Sequence, residues 1–369
     1  MKITLLQSNF ARAINQISRI VGARTTLPVL NNVLITAQKG KIRLSATNLE
    51  VGISTQAIGK IEEEGELTLP VRLLSDFVLN NKDESIQLET NAASAKLKSE
   101  HFEATIQGIA AEEFPTVPEP PTETVAKIAK TKLIDALRKV NIAGATDETR
   151  PVLAGIYFQF NEKTLTLAAT DSYRLAEKKL TLDVDAKEQK LIVPLRTTTE
   201  VLRVISSEEG VEDVLISAKE NQISFTVGNT YIVSRLIEGS FPNYSQIVPD
   251  SFKITAEIKL SELLSAVKMS SLFARDSANN NVRVAVSKDT LTISSIASES
   301  GTAKSSVGAK TTGDNVEIAF NARYMLDVLN VVGEEEIVLN FNGPTVAGAI
   351  TSLKDSDYVY IIMPLKLEN

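Results

Sequence analysis

The sequence predicts an α+β protein made of three copies of one domain. The first observation is a repeated motif of strand, charged tip and second strand, which reads RPVLAGIYFQFNEKTLTLAATDSYRLA in its middle copy. Its copies begin at Leu27, Arg150 and Asn280. The second observation is constant spacing, because Thr131 follows Ser8 by 123 residues and Arg196 follows Arg72 by 124. Periods of this kind indicate a duplicated unit, which decides the fold before any single element does.

Each copy is predicted to contain two similar halves, each a strand, a helix and three further strands. At the start of the chain, Met1–Leu6 alternates as a strand, Ser8 is a candidate N-cap, and apolar residues recur at helical spacing before Gly22. The corresponding caps in the other copies are Thr131 and Ser261. The pattern predicts six helices and about two dozen short antiparallel strands.

Proline-rich stretches separate the copies. AEEFPTVPEPPTETV carries four prolines that continue neither a helix nor a β-ladder, and FPNYSQIVP occupies the corresponding place after the second copy. The predicted domains are therefore residues 1–124, 125–250 and 251–369.

Composition argues against several kinds of site. The 369 residues include no cysteine and one histidine, His101, which disfavours disulfide, thiol and histidine-based metal or catalytic chemistry. The N-terminus lacks the form of a signal peptide, and no apolar run approaches the roughly 20 residues of a membrane span. We expect a cytoplasmic protein that does not engage a membrane and uses no metal or cofactor.

The distribution of charge favours a polyanionic partner although the net charge is −7. The six predicted helical segments together carry +7, which leaves −14 on the rest of the chain. A basic helical surface on an acidic protein is expected where one face meets a polyanion and the other repels it.

Helix dimensions indicate how such a surface could surround DNA. Six helices side by side, each about 10 Å wide, span roughly 60 Å and close a circle of only about 10 Å radius. Duplex DNA has a radius of roughly 10 Å, so it would not fit inside. Twelve helices, from two chains joined end to end, would leave room for the duplex.

Five motifs resemble one family, in order and over the whole chain. They are GARTTLPVLNN, LAATDSYRLA, GSFPNYSQIVP, FNARYMLDVL and the terminal YVYIIMPLKL. By these motifs the sequence resembles the bacterial DNA polymerase III beta subunits, the sliding clamps. The resemblance implies the DNA clamp fold and a ring-shaped head-to-tail homodimer, with two helices per domain inside and antiparallel sheets outside. It also implies a non-catalytic ring that encircles double-stranded DNA, makes the replicative polymerase processive and is opened by a clamp loader.

The resemblance and the repeats indicate which basic residues face DNA. Arg72 and Arg323 enter as repeat partners of Arg196, and Lys139 belongs to a basic helix. The full set is Arg24, Arg72, Lys139, Arg150, Arg196, Arg275 and Arg323. Contacts should be to phosphates without sequence preference, because a ring that reads bases could not slide.

A second implied site is a pocket for short hydrophobic peptides of DNA polymerases, the clamp loader and repair proteins. Its candidate residues are Leu153, Thr170, Ser172, Tyr173, Arg174, Leu175, Pro242, Gln246, Ile247, Asn321, Tyr324, Val346, Ile361, Ile362, Met363, Pro364, Leu365 and Lys366. Independently of the family, a run of large apolar residues near the end of the sequence suits a concave apolar site. Ser172 and Tyr173 replace the Gly-His often found there, and Gln246 replaces a base, so the peptide preference stays open.

The contact between subunits is implied by four residues. Ala104 and Ile106 on one edge, and Leu272 and Phe273 on the other, match the family's interface. Ala104 is smaller than the aromatic residue usual there, which leaves the strength of the dimer open.

Two other interpretations differ in class. A carboxylate- and metal-dependent DNA-processing enzyme could use acid pairs such as Glu112–Glu113 or Asp147–Glu148, but these lie beside no second acidic cluster. Phosphate-loop and H-E-x-x-H motifs do not occur either. A monomeric three-domain scaffold would show the same repeats without forming a ring.

Overall fold

The computed structural model describes residues 1–21, 27–147, 149–274, 278–297 and 301–366. Within these ranges it contains six α-helices, as the repeats predict. They are α1 Gln7–Ile17, α2 Val71–Asn80, α3 Lys130–Asn141, α4 Leu195–Ser207, α5 Leu260–Ala274 and α6 Ala322–Leu329. No helix in this part of the chain is long and apolar enough to cross a membrane.

The same ranges contain 24 strands, all in antiparallel pairs. The first copy contributes β1 Lys2–Leu6, β2 Asn32–Gln38, β3 Lys41–Thr47, β4 Val51–Ala57, β5 Gly59–Glu63, β6 Gly65–Pro70, β7 Ser85–Asn91, β8 Ser94–Lys98 and β9 Glu103–Gln107. The second contributes β10 Thr124–Ala129, β11 Gly155–Thr170, β12 Arg174–Pro194, β13 Asp213–Lys219, β14 Gln222–Val227 and β15 Thr230–Arg235. The third contributes β16 Ile254–Lys259, β17 Asn281–Ser287, β18 Thr290–Ala297, β19 Gly301–Gly308, β20 Lys310–Thr312, β21 Val316–Asn321, β22 Glu336–Phe341, β23 Gly348–Ser352 and β24 Tyr358–Ile362.

The chain divides into two compact units, and one sheet in each combines strands from neighbouring copies. The first unit comprises residues 1–133 and 199–236 and holds two sheets, in the orders β5-β1-β7-β8-β9 and β10-β13-β14-β15-β4-β3-β2-β6. The second comprises residues 134–198 and 237–369 and holds the orders β11-β12-β24-β23-β22-β16-β20 and β19-β18-β17-β21.

Fewer strands in the second copy reflect merging rather than loss. β11 changes register at Glu162, whose φ of 48° matches the 50° of Lys39, 123 residues earlier, between β2 and β3. β11 therefore corresponds to β2 and β3 together, and the long β12 corresponds to β4, β5 and β6.

Apolar helix faces form the core against the sheets. In α1 the buried apolar residues recur at helical spacing and pack on β3 and β4: Phe10, Ala13, Ile14 and Ile17. In the second unit, α5 packs on β17, β18 and β19 and against α6. This agrees with the predicted periodicity, since residues three and four apart share one face of a helix.

The predicted N-caps Ser8, Thr131 and Ser261 are wrong, because each lies one residue inside its helix. In each case the first helical N–H donates instead to a backbone carbonyl: Gln7 to Glu84 at 2.9 Å, Lys130 to Glu212 at 2.7 Å and Leu260 to Glu335 at 2.9 Å. A donor satisfied in this way needs no side-chain cap. The predicted stop at Gly22 lies outside the described residues.

One turn occurs twice with the same hydrogen bonds. It comprises residues 47–51 in the first copy and 170–174 in the second. In both, the threonine hydroxyl at the first position donates to the carbonyl of the fifth, at 3.0 and 2.6 Å. The third residue has a positive φ, 76° at Leu49 and 79° at Ser172. The turn is followed by β4 in one copy and β12 in the other.

Neighbouring copies join by strand pairing at two places. In the first junction β4 pairs with β15, and in the second junction β12 pairs with β24. Each junction joins the strand after the repeated turn to the last strand of the next copy. β9 is the last strand of the first copy, and β19 takes in the third copy the place that β4 has in the first. Among the described strands, neither pairs with a strand of another copy, and each forms one edge of its sheet.

Candidate functional site

Three of the predicted DNA-binding arginines share one position in the fold. Arg72, Arg196 and Arg323 are each the second residue of a helix, α2, α4 and α6 respectively, and each side chain is exposed. In the described part of the chain, no carboxylate lies within ion-pairing distance of any of the three. Exposed guanidinium groups of this kind are available to phosphate oxygens.

Arg150 is also exposed, and its guanidinium donates to the Ser172 hydroxyl at 2.9 Å. This contact ties it to the repeated turn of the second copy. Arg24 and Arg275 lie outside the described residues.

Lys139 differs from the other basic candidates because its ammonium is buried. The residue is 4% exposed, and Nζ donates to Asp135 at 3.0 Å and to Asp355 at 2.8 Å. Burial alone would lower the pKa of Lys139, but these hydrogen bonds outweigh it and raise the pKa. A buried ammonium group already paired with two carboxylates is not accessible to a phosphate, so the structure contradicts the prediction that Lys139 binds DNA.

Five of the predicted peptide-pocket residues are buried, and two of them, Leu175 and Ile361, form the floor of the candidate pocket. The five are Leu153, Thr170, Leu175, Ile361 and Ile362. The pairing of β12 with β24 sets Leu175 opposite Ile361. These two side chains cluster with Ala347 and Ala349, and Tyr244 and Val248 pack against the cluster.

Four large apolar residues that lie one or two positions along the chain from members of this cluster are exposed. The exposed fractions are 59% for Tyr173, 47% for Ile247, 43% for Val346 and 42% for Met363. Pro242 and Gln246 are exposed as well, Pro364 and Leu365 are half-buried, and Lys366 is exposed. Apolar side chains brought together at a surface indicate a binding site more strongly than scattered ones.

Arg174 supplies a fixed polar group beside this surface. Its Nε donates to Asp171 at 2.9 Å, another guanidinium nitrogen donates to Asp327, and the group lies 4.3 Å from the ring centroid of Tyr324. With both carboxylates engaged, Arg174 is held in one orientation. Asn321, also predicted for the pocket, caps α6 by accepting from the Arg323 N–H at 2.9 Å.

The segment after β24 is held by two backbone hydrogen bonds. The Met363 N–H donates to the Tyr173 carbonyl at 2.9 Å, and the Leu365 N–H donates to Ala319 at 2.8 Å. The first bond reaches the repeated turn and the second reaches β21. Pro364, which has no N–H to donate, lies between them.

The predicted subunit-contact residues lie on β9 and α5. Ala104 is half-buried, whereas Ile106 is 2% exposed and faces the core of its own sheet, so only its backbone is open to a partner. On α5, Leu272 is 50% exposed and Phe273 is half-buried. Met269, which no sequence pattern indicated, is 55% exposed on the same helix and borders a groove beside β19.

Among the described residues, one group of three potential metal ligands lies within 4.8 Å, namely Asp83, Glu100 and His101. Hydrogen bonds from the Ser99 hydroxyl and from the backbone and ring of His101 lower the pKa of Asp83 to about 2. These bonds pin the β8–β9 turn, which accounts for the cluster without an ion. The acid pair Glu112–Glu113 lies exposed in a short 3-10 turn, and Glu148 lies outside the described ranges.

Comparison with known proteins gives one consistent result. The family models for the N-terminal, central and C-terminal domains of the DNA polymerase III beta subunit match residues 1–118, 127–243 and 245–366. Beta sliding clamps from Staphylococcus epidermidis and Staphylococcus aureus are 30% and 29% identical to this chain, with 99% of each chain covered.

Solved structures agree. The DNA polymerase sliding clamp of Bacillus subtilis superposes with a TM-score of 0.94 at 26% identity, over 100% of both chains. A Pseudomonas aeruginosa sliding clamp bound to griselimycin gives 0.93 at 27% identity, again over 100% of both chains.

Proposed function

Because the chain belongs to the family of DNA polymerase III beta subunits, the bacterial sliding clamps, we propose that two copies form a ring around duplex DNA and tether the replicative polymerase. As a member of this family it is a non-catalytic subunit, and the alternative of a metal-dependent enzyme is not supported. The three predicted domains and a cytoplasmic location, where replication takes place, form part of this proposal.

The ring is supported by two edge strands, β9 and β19, which pair with no strand of another copy within the described part of the chain. Both junctions join the strand after the repeated turn to the last strand of the next copy. Applied once more, the same rule joins β19 of one chain to β9 of another. Contacts of this head-to-tail kind close into rings when the rotation allows it. Leu272 and Met269 would be covered by the same contact.

The exposed arginines support the DNA contact. Arg72, Arg196 and Arg323 occupy the same helical position in the three copies, so their guanidinium groups would recur around the ring. Phosphate contacts at regular intervals give affinity without sequence preference, which suits a ring that moves along DNA.

Retention on DNA of defined topology tests this proposal. The protein is loaded on nicked circular DNA and the complex is separated by gel filtration, before and after the circle is cut once. We expect the protein to stay on the circle and to leave the linear form, because a ring can slide off an end. Equal retention on both forms would rule out encirclement.

We also propose that the surface around Leu175 and Ile361 binds short hydrophobic peptides of DNA polymerases, the clamp loader and repair proteins. The exposed side chains Tyr173, Ile247, Val346 and Met363 are available as contacts, and the buried floor is preformed. In such sites a few anchor side chains supply most of the affinity.

Deletion of Met363–Asn369 tests the pocket. It removes part of the apolar rim but leaves β24, which ends at Ile362, so the sheet should form. We expect loss of binding to a fluorescent peptide from a partner polymerase, with the dimer intact by sedimentation. Leu353→Ala, at a 55% exposed apolar residue outside the pocket, is the control for general loss of exposed apolar surface. Undiminished peptide binding by the deletion variant would refute the assignment.

A further inference from the structure

A cavity of about 850 Å³ lies beside the predicted peptide pocket, over one face of β11 and β12. The segment of residues 239–250, which links the second and third copies, forms its other wall. This volume falls in the range of sites that hold small ligands or a few peptide residues. The predicted peptide pocket accounts for only one of its lining residues, Pro242.

The cavity adjoins the floor of the peptide pocket along β12. Side chains two residues apart on a strand share one face, so Leu175, Glu177 and Lys179 follow one another on the same side of β12. Leu175 belongs to the pocket floor, whereas Glu177 and Lys179 line the cavity. Pro242, a predicted pocket residue, also lines the cavity, and Tyr244 and Val248 contact both the floor and the cavity, so the two sites are neighbours.

The wall of the cavity is held in place by aromatic and polar contacts. Tyr157 stacks on Phe241 with ring centroids 5.0 Å apart, and Phe241 meets Tyr244 edge to face at 6.1 Å. The Tyr244 hydroxyl donates to Glu177 at 2.6 Å. A site held open in this way loses little entropy when a ligand enters.

The lining is polar and carries charges of both signs, with Lys179 and Lys190 beside Glu177 and Asp250. Glu177 is occupied by Tyr244 and by an ion pair with Lys179 at 3.3 Å. Lys190, opposite Gln159 across the strands, is exposed, and no carboxylate of the described residues lies within ion-pairing distance of it. The lining of the cavity also includes side chains that can hydrogen-bond a peptide backbone, among them Gln159, Thr166 and Asn243.

We propose that this cavity binds the polar residues flanking the hydrophobic motif of a partner peptide, and that Lys190 pairs with a carboxylate in that flank. The proposal rests on the peptide pocket proposed above. An extended flank of about six residues reaches roughly 20 Å, enough to cross from Leu175 into the cavity.

Peptides of two lengths test it by fluorescence anisotropy on the full chain. One peptide carries the apolar motif of a partner polymerase alone. The others add a flank of six residues to one end or the other of this motif, with either Glu or Lys at the centre of the flank. We expect a Glu flank at one end to tighten binding about threefold to tenfold, the net gain of one hydrogen bond. Lys190→Ala should abolish that gain and leave the binding of the short peptide unchanged.

Lys187→Ala is the matched control, since Lys187 is an exposed lysine of the same strand outside the cavity. It should keep the full gain. Three results would overturn the proposal. They are a gain that survives Lys190→Ala, equal binding of peptides with Glu and Lys flanks, and the absence of any gain from a flank at either end. If the short peptide itself fails to bind, the proposed pocket is wrong, which is a different result from a missing gain.

Discussion

The first and second junctions share one backbone and differ in what their side chains do. Both begin at the same turn, with matching hydrogen bonds and matching positive φ values at Leu49 and Ser172. At the first junction the linker inserts Val117 over Gly52. At the second, Leu175 stands at the position of Gly52, 123 residues later, and exposed apolar residues lie next to members of its cluster along the chain. One scaffold therefore gives a closed core in one place and an open apolar surface in another.

The buried polar groups at the junctions differ in the same way. Gln16 and Thr55 of the first junction hydrogen-bond with each other and with Thr230. The residues 123 positions later are Lys139 and Lys178, and both donate to Asp355. The first junction thus holds the buried carboxylate of Glu208 with a network of neutral donors, whereas the second places two buried ammonium groups around the carboxylate of Asp355. Removing the carboxylate of Asp355 would leave two buried ammonium groups, so it should cost more stability than removing one neutral donor of the first junction.

The largest expected effect is that of Asp355→Ala. It leaves Lys139 and Lys178 buried without their shared carboxylate, which should lower the free energy of unfolding by about 3–5 kcal/mol. Urea denaturation followed by circular dichroism measures the change. Asp357→Ala, at an exposed carboxylate two residues away, should change it by less than about 0.5 kcal/mol.

Thr55→Val provides the comparison at the first junction. It removes one neutral donor of this network with little change of shape, and should cost only about 1 kcal/mol. If Thr55→Val proves as costly as Asp355→Ala, the contrast between the two junctions is wrong.

An intermediate effect is expected for Gly52→Ala. An added Cβ would lie 2.7 Å from a methyl carbon of Val117 and 3.3 Å from one of Val233, so the linker would have to move. We expect a loss of about 1–3 kcal/mol in unfolding free energy. In the double variant with Val117→Ala the clash is relieved, so the two effects should not add. Strict additivity would show that Val117 does not fill this position in solution.

The smallest effect is a dependence on pH. Desolvation raises the pKa of Asp355, but the hydrogen bonds from Lys139 and Lys178 outweigh it and hold the pKa below the ordinary value of 3.8. A carboxyl with a depressed pKa stabilises the fold above its unfolded pKa, and this contribution is lost as pH falls through the folded value. The difference in unfolding free energy between wild type and Asp355→Asn should therefore shrink between about pH 6 and about pH 3. A difference that is constant or grows over this range would contradict the assignment.

Periodicity was sufficient to predict most of the fold. The helices follow from apolar spacing such as that of Phe10 and Ile17, and the copies follow from constant intervals. The helix caps could not be predicted, because the acceptors are backbone carbonyls of residues such as Glu84 that are distant in sequence. The strand pairing between copies was not evident either, since a sequence shows which strands exist but not which of them meet.

The candidate peptide pocket could be proposed from the sequence where its residues lie in one segment. Contacts between residues distant in sequence could not be proposed in this way. The apolar run after Tyr358 and the TDSYRLA turn indicated the pocket, while the ion pairs of Arg174 with Asp171 and Asp327 needed coordinates. Lys139 shows the same limit, because its charge suggested DNA and only its burial beside Asp355 shows a structural role. The cavity at Lys190 depends on how the linker lies over β11 and β12, which no local pattern records.

The two edge strands have a consequence for mixtures of subunits. A chain in which β9 is blocked, for example by a proline at Thr105, would still offer its intact β19 to a normal partner. Such a pair would be joined at one end and could never close. Adding the blocked chain to normal protein should therefore deplete rings beyond simple dilution, as a chain terminator stops a polymer.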